Sequence, residues 1–217
     1  MKCSKFVAAV AIVTAVSQGV VMAATGVKNS PHDFTTAAWN ADITHGTNAA
    51  AKEMCLPCHI PHHSNKTIGY LWNHQVPDAT LFTVWTNAVL GSESLTCLGC
   101  HDGVTALDNF SGTTNGTTQM TGDAVIGRDL TDSHPIGVDY GTSTRYATPV
   151  YTNGGWFVKS QWTSSRGLSL GANKRIQCTS CHTPHSNDKG DFLNVDNTGS
   201  HLCATCHGTW YDGTRDH

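Results

Sequence analysis

The chain has 217 residues, a formal net charge of −3 and 21 glycines, and 39% of its residues are hydrophobic. Its 13 lysines and arginines are scattered along the chain, and nothing in their distribution indicates nucleic-acid binding. Aliphatic residues are few beyond the N-terminal segment, which is a thin supply for a side-chain core. The composition therefore predicts an interior that is filled partly by something other than side chains.

The N-terminal segment predicts a secretory signal peptide. Two lysines precede an uncharged run over residues 6–25, and Ala23 lies among the small residues of a cleavage site. We expect residues 1–23 to be removed, and Cys3 to leave with them. A retained membrane helix is the weaker alternative. Residues 24–217 contain no further apolar run of spanning length, so we expect an exported protein without a membrane span.

Apart from Cys3, every cysteine falls in a Cys-x-x-Cys-His pentad, the attachment signature of c-type haem. Two thiols bind the vinyl groups of one porphyrin, and the adjacent histidine becomes the proximal iron ligand. Structural zinc and disulfides are the alternatives, but neither requires a histidine after each pair. We therefore predict four covalently bound haems. The attachment cysteines are Cys55, Cys58, Cys97, Cys100, Cys178, Cys181, Cys203 and Cys206, and the proximal ligands are His59, His101, His182 and His207.

The supply of histidine bears on the distal iron ligands. All 13 histidines lie beyond the predicted signal, so nine remain for four distal positions. Methionine occurs there only at Met54 and Met120. Bis-histidine ligation is therefore expected, and six-coordinate iron has no open position for a substrate. This favours an electron carrier over an enzyme.

Two pentads continue into the same longer string, Cys-His-x-Pro-His, which marks an internal repeat. His62 and His185 end these strings, three residues after their proximal histidines. Side chains three apart on a helical turn lie about 5–6 Å from each other, so they cannot reach one iron from opposite faces. We expect both to be distal ligands of neighbouring haems.

His32 and His134 complete the predicted distal set. Pro135 holds His134 in extended backbone, and iron would anchor His32 near the mature N-terminus, a place where chains are often disordered. The other histidines are expected at the surface, with His74 as the first reserve ligand: His45, His63, His74, His201 and His217.

The pentads divide into two pairs, which predicts a single tetrahaem unit made of two dihaem halves. The halves span about 30–110 and 125–217, joined by a polar, turn-rich loop over 111–123. Aromatic residues around Asn153-Gly154-Gly155 predict a small β-ribbon over 144–170. The expected fold class is a multihaem cytochrome c, mostly irregular, with short α-helices around the pentads and a haem-filled core.

Seven strings together resemble the tetrahaem cytochromes of metal-reducing bacteria, a group that includes outer-surface cytochromes polymerised into conducting filaments. The strings are Ser30-Pro31-His32-Asp33, Cys58-His59-Ile60-Pro61-His62, Leu71-Trp72-Asn73, Cys100-His101-Asp102-Gly103, Ser133-His134-Pro135-Ile136, Cys181-His182-Thr183-Pro184-His185 and Ser200-His201-Leu202-Cys203. In filament-forming members, a histidine of one subunit ligates a haem of the next. The resemblance makes His32 the candidate for that bridge.

Three functions compete at this point. The leading hypothesis is an extracellular electron conduit, with redox proteins and outside acceptors such as iron oxide as partners and with self-association into a filament. A soluble periplasmic shuttle with the same haems is the alternative. A multihaem reductase is the third, and it would need one haem with an open distal face.

Overall fold

The computed structural model describes residues 26–40, 53–139, 170–171 and 175–206. Most of this backbone is irregular, and its described part contains isolated β-bridges but no β-strand. Every α-helix in these ranges is built on the cysteines of a pentad, which confirms the expected mixture of short helices and irregular chain. The α-helices are α1 (Ser92–His101), α2 (Cys178–Cys181) and α3 (His201–Cys206), and the 3-10 helices are Phe34–Thr36, Ala38–Asn40, Ala79–Leu81 and Thr198–Ser200.

Helix α1 ends at the histidine of its pentad because the next residues close it. The Asp102 carboxylate accepts hydrogen bonds from the backbone N–H groups of Val104 (2.9 Å) and Thr105 (2.7 Å). Gly103 takes a left-handed φ of 70°, as residues just after a helix often do. Arg128 donates to the same carboxylate at 2.9 Å. The second pentad therefore sits at the end of a helix whose terminus is fixed by hydrogen bonds.

Helices α1 and α2 are joined by a buried polar contact. Ser94 is 0% exposed and Gln177 is 1% exposed. The Gln177 side-chain oxygen accepts from the Gly91 backbone N–H at 3.0 Å, and the Ser94 hydroxyl accepts from the Cys178 backbone N–H at 3.1 Å. Buried polar groups that are all hydrogen-bonded fix one arrangement of their elements. The second and third pentads are therefore held side by side.

The side-chain core of the described residues is small. Phe82, Leu90, Leu98 and Leu130 form its buried cluster, against which three partly buried residues pack: Val84, Leu95 and Ile136. Large apolar side chains near the first two pentads stay exposed, among them Tyr70 (66%), Leu71 (52%), Val104 (53%) and Ile126 (40%). Isolated exposed apolar residues are ordinary, but several beside one kind of motif indicate a surface that another group covers.

Two sequence predictions lie outside the described residues: the signal peptide at 1–23 and, except for Leu170, the β-ribbon at 144–170. The predicted polar loop at 111–123 is described, and it is irregular and largely exposed. Within the described ranges, no helix combines the length and the apolar character needed to cross a membrane.

Candidate haem-binding site

The described pentads adopt helical turns that place their two thiols on one side. In the first pentad, the Cys55 carbonyl accepts from the backbone N–H groups of Cys58 (3.1 Å) and His59 (2.8 Å). In the third, the Cys178 carbonyl accepts from the His182 N–H at 3.0 Å. A helical turn brings residues three apart onto the same face, which is the arrangement that two thioether bonds to one porphyrin require. His207 of the fourth pentad lies outside the described residues.

The cysteine thiols are free, from Cys55 to Cys203, wherever the structure describes their side chains. Burial raises the pKa of the Cys58 thiol to about 11, and burial also raises the pKa of Cys100. Cys178 differs, because a hydrogen bond from Cys97 lowers its pKa to about 7. Thiol–disulfide enzymes rely on exposed, low-pKa thiolates, so the Cys58 and Cys100 thiols are unsuited to that chemistry.

The alternative of a structural zinc site requires several thiolates at one point. Among the described residues, no three cysteine, histidine or acidic side chains come together in a way that could hold a metal ion. Cys97 and Cys178 do contact each other. They are the first cysteines of two different pentads, and they lie on either side of the α1–α2 contact.

The three described proximal histidines share one hydrogen-bonding pattern. In each, the ring Nδ1 lies at hydrogen-bond distance from a backbone carbonyl: His59 from Tyr70 O (2.8 Å), His101 from Ala124 O (2.7 Å) and His182 from Asp191 O (2.7 Å). A carbonyl can only accept, so Nδ1 carries the proton and donates it. The Nε2 atom is then the nitrogen with a free lone pair, as in metal-bound histidines whose other nitrogen donates to an outer group.

A second histidine lies beside two of these proximal rings. The ring centroids of His59 and His185 are 6.0 Å apart, and those of His32 and His101 are 6.2 Å apart. Two imidazoles on opposite sides of one metal, with metal–nitrogen bonds of about 2.0 Å and about 1.1 Å from nitrogen to centroid, would be separated by about 6.2 Å. Ordinary aromatic contacts also reach this range. The oriented Nδ1 atoms of His59 and His101 favour ligation of one iron by each pair.

His32 is fixed by contacts that leave its other nitrogen available. Its ring stacks on Phe192 with centroids 4.2 Å apart, and its Nδ1 lies 3.4 Å from the Pro184 carbonyl. Burial lowers the pKa of His32, and the neighbouring His101 and His185 lower it further. The ring is therefore neutral at pH 7, which is the form that binds metals.

The expectation of a surface position is wrong for His74, the first reserve ligand. Its side chain is almost fully buried, its Nδ1 lies 2.9 Å from Gln75 O and its Nε2 lies 3.3 Å from Leu107 O. Burial lowers the pKa of His74, so its ring is neutral and donates from one nitrogen only. With Nδ1 donating to Gln75 O, Nε2 keeps its lone pair and lies 3.6 Å from the Cys100 thiol. His74 is thus buried beside the second pentad, and among the described residues its ring is paired with no proximal histidine.

The other predicted distal ligands are less defined. His62 and His134 are both exposed, and among the described residues no aromatic ring contacts that of His62. His63 and His201 are exposed as well, whereas His45 and His217 lie outside the described residues. Among the three proximal histidines that the structure describes, two thus have a predicted distal histidine beside them, His59 with His185 and His101 with His32.

Trp72 shows that the interior near the first pentad is incomplete without a further group. Its ring meets that of His59 edge-on, with centroids 5.8 Å apart. The indole N–H is buried and has no hydrogen-bond partner in the part of the chain that the structure describes. Unpaired buried donors are uncommon in finished interiors, and a porphyrin that carries propionate oxygens fits this position chemically.

Sequence reasoning missed two loops that hold the proximal histidines. Loop A (Gly69–Asn73) and loop B (Gly190–Asn194) supply the carbonyls that face His59 and His182. Both loops have the sequence Gly-x-x-x-Asn, which begins ten residues after His59 in loop A and eight residues after His182 in loop B. The unequal spacing hides this part of the internal repeat.

A family model described as the doubled CXXCH motif matches residues 171–209, which contain the third and fourth pentads. This is less than a fifth of the 217 residues. No curated protein matches the chain. CXXCH motifs indicate covalently bound c-type haem, and their pairing is typical of cytochromes that carry electrons on several haems. The C-terminal part of the chain is therefore similar to multihaem c-type cytochromes.

Proposed function

We propose that this chain is an electron carrier with four covalently attached haems, one on each pentad. The observation that carries the proposal is the pairing of rings: His59 with His185 and His101 with His32, at separations that suit one iron between two imidazoles. The proposal of four haems assumes that each pentad binds one haem in the same way. Two of the four pentads lie in the region that the family model matches.

The axial ligands follow from the same geometry. His185 is proposed as the distal ligand of the haem on His59, and His32 as that of the haem on His101. His62 and His134 are the remaining candidates for the haems on His182 and His207. Haem iron supplies one-electron oxidation and reduction, and histidines on both faces leave no position for a substrate. This supports electron transfer over a reductase activity.

Two features support a close row of haems. His182 follows α2 in extended backbone, and His185 lies three residues further along the chain. The two are proposed to ligate different irons, so this short segment would hold two porphyrins near each other. The α1–α2 contact through Ser94 and Gln177 holds the second and third pentads together. The haem faces are proposed to cover the exposed apolar side chains near the first two pentads and so to fill the core that the side chains leave small.

The cellular setting rests on the resemblance and on the N-terminal pattern. We propose export to the cell surface and a role as a conduit to extracellular acceptors, with redox proteins as donors and self-association into a filament. One observation favours the alternative of a soluble periplasmic shuttle: His32 lies beside His101 of its own chain. In the filament, His32 would instead reach a haem of the neighbouring subunit.

Electron microscopy of the protein sheared from cells grown on an extracellular acceptor tests the conduit. Filaments that disappear in His32→Ala would support it. Monodisperse protein with four bis-histidine haems would leave the shuttle, and a five-coordinate haem in the wild-type spectrum would favour the reductase.

A further inference from the structure

Loops A and B have the same hydrogen bonds to their pentads. The Asn73 backbone N–H donates to Cys58 O (2.9 Å), and that of Asn194 donates to Cys181 O (2.8 Å). The side-chain amide of Asn73 donates to Leu56 O at 2.6 Å, and that of Asn194 donates to the equivalent carbonyl of the third pentad, Thr179 O, at 3.0 Å. Each asparagine therefore closes the carbonyl end of a haem-attachment turn.

The loops also share a backbone conformation that ordinary residues avoid. In loop A, the φ angles of Gly69, Tyr70 and Leu71 are 80°, 54° and 56°. In loop B, those of the residues at the same places are 75°, 46° and 55°, and two of these three are also not glycine: Gly190, Asp191 and Phe192. Left-handed backbone is unfavourable for L-residues and persists where the surroundings determine it. Its occurrence three times in succession, in both loops, indicates a common purpose.

The shared conformation directs one backbone carbonyl of each loop toward a proximal histidine. The second residue of each loop points its oxygen at the proximal ring: Tyr70 O at His59 and Asp191 O at His182. At the second pentad, a differently built turn gives His101 the same kind of acceptor, Ala124 O. The acceptor is thus present at each described pentad although the segment that provides it differs.

We propose that loops A and B are positioning elements that set the reduction potentials of the haems on His59 and His182. The inference rests on the proposed function, because it presupposes that these histidines ligate iron. A carbonyl that accepts from Nδ1–H fixes the ring orientation and makes Nε2 a stronger donor. A stronger donor favours Fe(III) over Fe(II), so each loop keeps the potential of its own haem low.

The glycines that begin the loops allow a clean test. A Cβ added at Gly69 or at Gly190 would meet no atom within 4 Å, so alanine there perturbs the left-handed backbone without a steric clash. Gly112→Ala is the matched control, because Gly112 has a φ of 85° and equally open surroundings but supplies no carbonyl to a pentad histidine. Gly69→Asn and Gly190→Asn are the rescue variants, since asparagine tolerates this conformation.

Redox titration of the purified holoprotein, followed by visible and electron paramagnetic resonance spectra, gives the readout. In Gly69→Ala we expect one haem of the four to shift to a higher potential, by up to about tenfold in its Fe(III)/Fe(II) preference, which is about 59 mV for one electron. In Gly190→Ala a different haem should shift. The asparagine variants and Gly112→Ala should keep the wild-type potentials.

Three outcomes would overturn the inference: unchanged potentials in both alanine variants, an equal shift of all haems, or the same shift in Gly112→Ala. If either alanine variant fails to fold, its asparagine counterpart provides the second measurement. A shifted haem potential in Gly69→Asn or Gly190→Asn, the variant being folded, would also count against the inference. A protein without bis-histidine haems would instead refute the proposed function, so the two failures are distinguishable.

Discussion

Replacing His185 by glycine is expected to remove one axial ligand from the haem on His59 and to leave the other haems intact. His185 is exposed at the end of its turn, so its loss removes little packing. The centroids of the His59 and His185 rings are 6.0 Å apart. With iron–nitrogen bonds of about 2.0 Å, this distance accommodates one iron between the rings and no second metal. One quarter of the haem should therefore become high-spin, and its potential should rise.

Electron paramagnetic resonance and carbon monoxide binding measure this change. We expect one carbon monoxide per chain in His185→Gly and none in the wild type, with added imidazole restoring the low-spin spectrum. Combining His185→Gly with the loss of one haem-attachment site identifies the affected haem. In Cys55→Ala/Cys58→Ala the high-spin signal should vanish, and in Cys178→Ala/Cys181→Ala it should remain. Four low-spin haems in His185→Gly, or the reverse pattern in the two backgrounds, would refute the assignment.

Three further predictions concern other residues. His32→Ala should produce one high-spin haem on His101 even in dilute monomeric protein, measured by visible and electron paramagnetic resonance spectra. An unchanged spectrum would contradict the pairing of His32 with His101 within one chain. His74→Phe removes the one N–H that the neutral ring donates to a buried carbonyl, so denaturant titrations should show a free energy of unfolding lower by about 1–3 kcal/mol, while all haems stay low-spin. Burial raises the pKa of Asp102, but hydrogen bonds from neighbouring backbone N–H groups and Arg128 outweigh it and hold that pKa below its ordinary value of 3.8. Stability from Asp102 is therefore present above pH 3.8 and lost as the pH falls through its folded-state pKa, and Asp102→Asn should flatten this acid dependence in unfolding measured between pH 6 and 3.

The sequence predicts the local backbone of the pentads well because that backbone depends on spacing alone. A Cys-x-x-Cys-His turn specifies both thiols and the adjacent ligand within five residues. The helices α1, α2 and α3 accordingly lie where the pentads predict helices. The expectation that His185 serves another haem than His182 stays a prediction, and its premise of a helical turn is wrong at His182, which is extended backbone.

The sequence does not predict which distal histidine lies beside which proximal histidine. His59 and His185 are far apart in the chain, and their approach depends on tertiary contacts such as the one between Ser94 and Gln177, which no periodicity announces. The left-handed conformation at Tyr70 and Leu71 is equally hidden, because neither residue type favours it. The burial of His74 beside the Cys100 thiol is hidden as well, because nothing in the sequence around this histidine distinguishes it from a surface residue.

The number of covalently attached haems tests the central claim most directly. The protein should be produced in a host that matures c-type cytochromes, and its intact mass should be measured under denaturing conditions together with its pyridine haemochrome absorbance. Four haems per chain, retained after denaturation, are predicted. Fewer than four, or pentad cysteines found as disulfides or as ligands of zinc, would contradict the account.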